Sequence, residues 1–370
     1  MPEDINNASS AENPEDAPQN APENLEPLPA TSDPMAGMFP KKGRGIGALI
    51  FVICVSALFG YAALLANLPR ERPPADELPA SVRMRLSGLP LNANVLVYLG
   101  LKEIRQSEFW QTFVPDSLKE KLLADTSTAI GRFANLMQFN FAQDVDTAIY
   151  AEVNRYGEIN TSLAILIGRF NSARFKHLAT TALDSVRSGN KLAYQLDTAL
   201  WCAKVSENEL ALSSHADVLA NYLQPRADFW TTDSTMTPLI ERVQHKSHFW
   251  LALGSARWAF GAMRGLTTGN QDMQGMGNIR NIRQLVLSLR LTDGIEGQSE
   301  WIYENRAAAF FAGGLIGITL WVTKNFSQRQ SESIKRVVGA IEFKQNLEAL
   351  MFNANLSKAM LEELRQAKQN

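Results

Sequence analysis

An uninterrupted apolar segment, residues 46–68, most constrains how this chain can fold. Its 23 residues, IGALIFVICVSALFGYAALLANL, contain no Asp, Glu, Lys, Arg or His. An α-helix of this length measures about 34 Å, enough to cross the ~30 Å hydrocarbon core of a bilayer. A cleaved signal peptide has a shorter apolar core close to the start of the chain, whereas this segment begins after 45 residues. The sequence therefore predicts a retained, single transmembrane helix.

Basic residues flank the span on both sides, at Lys41, Lys42 and Arg44 before it and at Arg70, Arg72, Arg83 and Arg85 after it. The first three lie directly against the membrane, and long domains are translocated largely regardless of their charge. We predict a bacterial inner (plasma) membrane protein with a cytoplasmic N-terminus and a periplasmic or extracellular C-terminal domain. The opposite orientation stays open, because residues 1–40 hold eight acidic and no basic residues.

Composition divides the rest of the chain. Residues 1–45 are acidic and rich in Pro and Asn, which predicts a disordered tail. Residues 69–89 are predicted to be a Pro-rich linker. The part that follows is nearly neutral, so it offers no electrostatic footprint for nucleic acid. The two cysteines, Cys54 and Cys202, lie in the span and in the domain, and Cys202 is expected to be buried.

An internal repeat organises the C-terminal part. Residues 95–100 have an apolar counterpart in 249–254, and each segment precedes a helical pattern. Hairpin patterns begin with strands at residues 145–153 and 282–291, and each has a turn glycine twelve residues after its start. Helical patterns at residues 216–223 and 354–361 correspond near the ends of the two halves. The sequence predicts an α+β fold, a single transmembrane helix followed by an internally duplicated domain of antiparallel sheets covered by helices, each half β-α-ββ-α-ββ-α. The predicted halves are residues 90–223 and 245–370, with a connector at 224–244. Whether the halves form one sheet or two lobes stays open.

A second apolar segment, residues 307–322, resembles a membrane span at first. It holds 16 uncharged residues, but a helix of that length covers only about 24 Å. Its repeat partner, residues 171–184, carries Arg174, Lys176 and His177. We therefore predict that residues 307–322 form a buried core helix.

No sequence motif carries chemistry. His245 and His248 have no nearby Cys or carboxylate that would complete a metal site. Asp144 and Asp146 could share one face of a strand, as general acid and base catalysts do, but Asp at a strand entrance commonly caps a turn. Nucleophile and phosphate-binding motifs are absent from the sequence. We predict no catalytic residue, no metal site, no cofactor and no enzymatic activity.

Three residues are candidates for interaction. Trp230, in the connector, is the tryptophan most expected to be exposed, although a packing role is the simpler interpretation. Ser56 and Gly60 are small residues one helical turn apart in the span, a spacing that permits helices to approach closely. They predict self-association within the bilayer.

Three hypotheses about function follow. The leading one is a non-enzymatic structural, scaffold or assembly component of the cell envelope, which binds other envelope proteins. The second is an extracytoplasmic ligand-binding or sensory domain that signals through the span; a deep pocket between the halves would favour it. The third is an envelope enzyme of unknown class.

Overall fold

A computed structural model of the 370-residue chain describes residues 45–69, 77–117, 119, 129–153, 161–255, 281–326 and 332–369. The predicted disordered tail, the turn at Gly157 and the helix predicted after residues 249–254 lie outside these ranges and stay predictions. The chain divides into two units after Gly60. The second unit, Tyr61–Asn370, holds the whole sheet.

Helix α1 (Gly45–Asn67) begins and ends within one residue of the predicted span. The side chains described along it are largely exposed, with Leu58 67% and Phe59 63% accessible. Large apolar side chains are accessible in successive turns, at Val52, Ile53, Leu58, Phe59, Tyr61 and Leu64. The described part of α1 is therefore an apolar helix without a polar face.

The other described helices are α2 (Ala80–Leu86), α3 (Leu101–Gln106), α4 (Glu108–Phe113), α5 (Ala129–Met137), α6 (Phe141–Asp144), α7 (Ser172–Thr181), α8 (Ala216–Leu223), α9 (Phe229–Thr232), α10 (Thr237–Ile240), α11 (Arg306–Phe326), α12 (Glu332–Gly339) and α13 (Lys358–Gln369). The helix predicted after the first strand is broken between α3 and α4. At this break the Ser107 hydroxyl accepts a hydrogen bond from the Trp110 backbone N–H (3.1 Å), which caps α4.

One antiparallel sheet forms the centre of the domain. Its strands are β1 (Val95–Gly100), β2 (Val145–Val153), β3 (Thr161–Gly168), β4 (Asp184–Ser188), β5 (Lys191–Asp197), β6 (Leu200–Ser206), β7 (Glu209–Ser213), β8 (Phe249–Leu253), β9 (Ile282–Leu291), β10 (Ile295–Tyr303), β11 (Ile341–Asn346) and β12 (Ala349–Leu356). Their spatial order is β11-β12-β10-β9-β8-β1-β2-β3-β7-β6-β5-β4. The fold is α+β with a large antiparallel sheet, and the open question of one sheet or two lobes is answered by the pairing of β1 with β8.

Two details of the predicted strand pattern are wrong. Four strands, β4 to β7, follow α7, where the sequence predicts one strand pair. The sequence pattern does not reveal β4 because this strand is polar, mostly exposed and without apolar alternation. Strand β12 continues to Leu356, through residues predicted to begin the last helix. That helix, α13, begins at Lys358 instead.

The predicted linker and connector both contain helices that belong to the core. Leu86 in α2 and Phe229 in α9 are each 0% exposed. Pro79 is the N-cap residue of α2, and Pro238 lies in the first turn of α10. Proline is tolerated at helix starts because the first N–H groups have no partner within the helix. These two prolines therefore lie at helix starts.

The central strands of the sheet are buried on both faces because their side chains alternate between two apolar sets. On one face Leu96, Ile149 and Trp250 pack under α2, α8 and the α9–α10 segment. On the other face, one cluster lies under α5 and α7 in the first half of the chain and another under α11 in the second half.

Helix α11 does not form the buried core helix predicted for residues 307–322. Ala309 and Ala312 are buried against the sheet, but only 22% of the most apolar window in the helix is buried. Large side chains on its other side are accessible, namely Phe311 60%, Leu315 47%, Ile318 62%, Trp321 56% and Val322 42%. The prediction failed because apolar residues occupy both faces of this helix.

Two adjacent glycines test how α11 docks. A Cβ on Gly313 would lie 3.0 Å from Phe343 Cζ and 3.3 Å from Leu350 Cδ2, whereas a Cβ on Gly314 would meet nothing within 4 Å. We expect Gly314→Ala to raise the free energy of unfolding by about 1 kcal/mol, because alanine favours the helix. Gly313→Ala should leave the free energy of unfolding almost unchanged, because crowding against Phe343 and Leu350 offsets the helix preference of alanine, which is worth about 1 kcal/mol. Urea unfolding in mild detergent would measure both; equal gains would show that the Gly313 face is not docked.

Candidate functional site

Trp230 lies at the contact between α2 and α9 and is half-buried. Its indole N–H donates to the Arg83 carbonyl oxygen (3.1 Å), and the Arg83 guanidinium carbon lies 5.0 Å from its ring centroid. The hydrogen bond and the cation–π contact hold α2 against the domain. The packing interpretation therefore accounts for Trp230, and its binding of a partner stays a prediction.

Ser56 and Gly60 lie one turn apart on α1, and both are exposed. A Cβ on Gly60 would meet no atom within 4 Å. This surface is open to another helix, and self-association through it stays a prediction.

The histidines take part in local contacts. His248 Nδ1 accepts a hydrogen bond from the Leu291 N–H (3.3 Å), and burial lowers the pKa of His248 below its ordinary value. His215 Nδ1 lies 2.9 Å from the Ser214 hydroxyl oxygen. Within the described ranges, no group of three His, Cys, Asp or Glu side chains is placed to hold a metal ion.

Asp144 and Asp146 do not form a pair on one strand face. Asp144 is the last residue of α6 and accepts a hydrogen bond from the Asn140 N–H (2.8 Å). Asp146 pairs with Arg105 (3.0 Å) at an irregularity of β2, where the register shifts between Val145 and Thr147. Arg105 also donates to the Ala142 and Val145 carbonyl oxygens. This cluster fixes the entry into β2.

Two buried polar clusters escaped the sequence analysis. Glu209 accepts hydrogen bonds from Tyr222 (3.0 Å) and from Arg85 (3.1 Å), which joins β7 to α8 and α2. Burial and the neighbouring carboxylate raise the pKa of Tyr222. In the second half, Arg242 pairs with the buried Glu300 at 3.0 Å. Both pairs join residues far apart in sequence, 124 and 58 positions, so no local pattern predicts them.

The β1–β8 junction is closely packed. Tyr98 and Trp250 stack across it with ring centroids 5.3 Å apart and planes 5° apart, and Trp250 is 1% exposed. An open cleft of about 1000 Å³ lies elsewhere, between α8, the β4–β5 turn and residues 90–92. Its charged lining residues, Arg187, Asp217 and Arg226, carry both signs. The cleft is therefore an open surface groove of mixed polar and apolar lining, and no residue of β8 lines it.

Cys202 is fully buried in β6, as predicted, and its burial raises the pKa of the thiol. A thiol that is both buried and protonated at neutral pH is a poor nucleophile. Cys202 therefore serves as a small apolar residue of the core.

The outer stripe of α11 (Phe311, Leu315, Ile318 and Val322) exposes four large apolar side chains on one described helix of the domain. Its members are spaced by four, three and four residues, so they share one helical face. Small residues, Ala309, Ala312 and Gly313, occupy the face toward the sheet. By length and composition, residues Arg306–Asn325 could cross a membrane, and Val52–Leu65 form a shorter apolar stretch within α1.

Comparisons with known proteins give little guidance. No family model and no curated protein matches the chain. Crystal forms III and I of TP0453 each match with a TM-score of 0.41 and 9% identity, over 76% of this chain and 97% of that chain. Crystal form IV of TP0453 matches with a TM-score of 0.38 and 8% identity, over 75% and 95%. Likenesses of this size carry no inference about function.

Proposed function

We propose that this chain is a single-pass envelope protein, anchored by α1, whose extracytoplasmic sheet domain is a non-enzymatic scaffold for other envelope proteins. The observation that carries the proposal is α1 itself. It is a 23-residue helix without a charged residue, and its described apolar side chains are accessible in successive turns. A helix that is apolar all round belongs in a membrane or a large core.

The strand order supports an internal duplication of the domain. Outward from the central pair, β1 is followed by β2, β3, β7 and β6, and β8 is followed by β9, β10, β12 and β11. Helices α7 and α11 come directly after β3 and β10 and pack in the clusters of the second sheet face. Two copies of one unit, joined edge to edge through β1 and β8, account for this arrangement.

The polar side chains favour a scaffold over a catalyst. The pairs Arg85–Glu209 and Arg105–Asp146 join helices to strands, and Arg242–Glu300 joins the turn after α10 to β10. A ligand-binding domain, the alternative, loses support at the β1–β8 junction because Tyr98 and Trp250 fill it. The open cleft beside α8 is where such a ligand would have to bind.

Two measurements test the anchor. The full-length chain should stay in the membrane after alkaline carbonate extraction, and a chain with residues 46–68 deleted should be released. A reporter that is active only outside the cytoplasm, fused after Asn370, should be active. Release of the full-length chain would contradict the anchor, and an inactive reporter on a stable fusion would contradict the orientation.

Purification tests the scaffold. We expect the intact protein, extracted in mild detergent after crosslinking in cells, to retain at least one envelope protein in a fixed ratio. A parallel purification without crosslinker separates stable from transient partners. Recovery of the chain alone from both samples would contradict a scaffold role and leave the anchor unaffected.

A further inference from the structure

We propose that the outer stripe of α11 lies in the interface of an anionic phospholipid bilayer, as a second membrane contact of the domain. The inference rests on the proposed function, because the anchor supplies the membrane. It assigns a role to the apolar outer side of a helix whose other side packs on the sheet.

The distribution of side-chain size in α11 is the first argument. A helix on the surface of a soluble domain buries its large apolar residues and exposes polar ones. Helix α11 departs from this pattern, because its fully buried residues facing the sheet are small and the large Ile316 there is only partly buried, while Phe311 and Ile318 are about 60% accessible. An apolar medium against the outer stripe would cover these side chains.

The charges of α11 fit an anionic lipid surface. Between Arg306 and Phe326 the helix carries Arg306 and Lys324 and no acidic residue. Both basic residues are exposed and lie near opposite ends of the helix. Positions 306 and 324 are about five turns apart and share one side of the helix, away from the outer stripe. Helices that lie in the plane of an anionic interface typically carry basic residues on the side away from the lipid. Trp321 extends the apolar surface near the C-terminal end, and tryptophan is enriched at headgroup depth.

The tether keeps the domain close to the membrane. Eleven residues lie between Leu68, the end of the predicted span, and Ala80, the first residue of α2. Even fully extended, they reach only about 40 Å. A surface confined in this way meets the bilayer at a high effective concentration, so weak contacts suffice to hold it there.

The sheet edge favours a helix that lies in the interface over one that crosses the bilayer. Phe343 of the edge strand β11 packs near Gly313 and Gly317. Its neighbours, Glu342 and Lys344, are exposed. Charged side chains and open sheet edges are excluded from hydrocarbon. While α11 stays docked on the sheet, this edge holds it at the level of the lipid headgroups.

Fluorescence quenching in vesicles tests the inference. The full-length protein, with Cys54→Ala to leave only the buried Cys202, is reconstituted into vesicles that contain phosphatidylglycerol. Three variants, Ile318→Cys, Leu58→Cys and Leu183→Cys, each carry the environment-sensitive NBD fluorophore. Leu183 is the matched control, because it is 67% exposed against 62% for Ile318. Spin labels placed at shallow or deep positions of the lipid chains report contact and depth.

We expect the probe at position 318 to shift to shorter wavelength and to lose about half of its emission to the shallow label, with a smaller loss to the deep label. The probe at position 183 should keep its emission, and the probe at position 58 should be quenched. If the probe at position 58 is quenched but the probe at position 318 emits as in water, this inference is wrong, and the proposal that α1 anchors the protein is unaffected. No quenching at 58 would overturn the proposed function itself.

Two further outcomes would also overturn the inference. A shift at position 318 without quenching by lipid would mean that protein, such as a second copy of the chain, covers the stripe. Stronger quenching by the deep label would mean that α11 spans the bilayer. Unchanged tryptophan emission of each variant before labelling would show that the substitutions leave the fold intact.

Discussion

Trp250→Ala is expected to lower the free energy of unfolding by about 4 kcal/mol, a typical cost of removing a buried tryptophan. Trp250 lies on β8, is 1% exposed and stacks on Tyr98 of β1. These two strands form the junction at which the halves of the sheet meet. The alanine would leave a cavity there that the paired backbones cannot close.

Urea unfolding of the full-length protein in mild detergent, followed by far-ultraviolet circular dichroism, would measure this loss. Trp321→Ala is the matched control, because Trp321 is 56% exposed on α11; its effect should stay within about 0.5 kcal/mol. The core cluster around Trp250 also includes residues of both halves, from Ile149 to Ala349. We therefore expect the whole sheet to unfold in a single urea transition. Two separate unfolding transitions, one for each half, would contradict a continuous sheet.

The elements that the sequence predicted best have boundaries marked by local chemistry. The first predicted hairpin strand coincides with β2, and Ile282–Leu291 coincides with β9. Both are apolar runs, and the turn after β9 carries the Asp-Gly pair that favours a tight turn. Helix α8, Ala216–Leu223, also has the predicted bounds. In these segments the signal lies within a few residues of the element itself.

Features that depend on distant partners could not be predicted. The apolar residues of β1 predict a buried strand but do not indicate which strand pairs with it. The sequence alone therefore does not predict the pairing of β1 with β8. Strand β4 is polar and owes its place to hydrogen bonds with β5. The outer stripe of α11 was overlooked because a helix apolar on two faces has no periodicity that separates core from lipid. The exposure of Trp230 and of the outer stripe of α11 could not be predicted for the same reason, because it depends on which distant segments pack beside them.

Arg242→Met is expected to cost about 3 kcal/mol of folding free energy, since it removes the guanidinium partner of a buried carboxylate. Glu300 has a side-chain exposure of 1%, and Arg242 lies 3.0 Å away with an exposure of 20%. Methionine retains much of the apolar stem of arginine, so the loss reports mainly on charge. The same unfolding experiment in detergent would measure it.

An exposed pair in the same sheet provides the control. Arg290 and Glu296 lie 3.8 Å apart with exposures of 50% and 49%, and Arg290→Met should cost no more than about 0.5 kcal/mol. Repeating Arg242→Met in a Glu300→Gln background should reduce its cost to roughly 1 kcal/mol, because a neutral amide needs less compensation when buried. An undiminished cost in that background would assign the loss to the packing of the arginine stem rather than to its charge. In that case the charge interaction between Arg242 and Glu300 would not be what stabilises the contact between β10 and the segment that precedes β8.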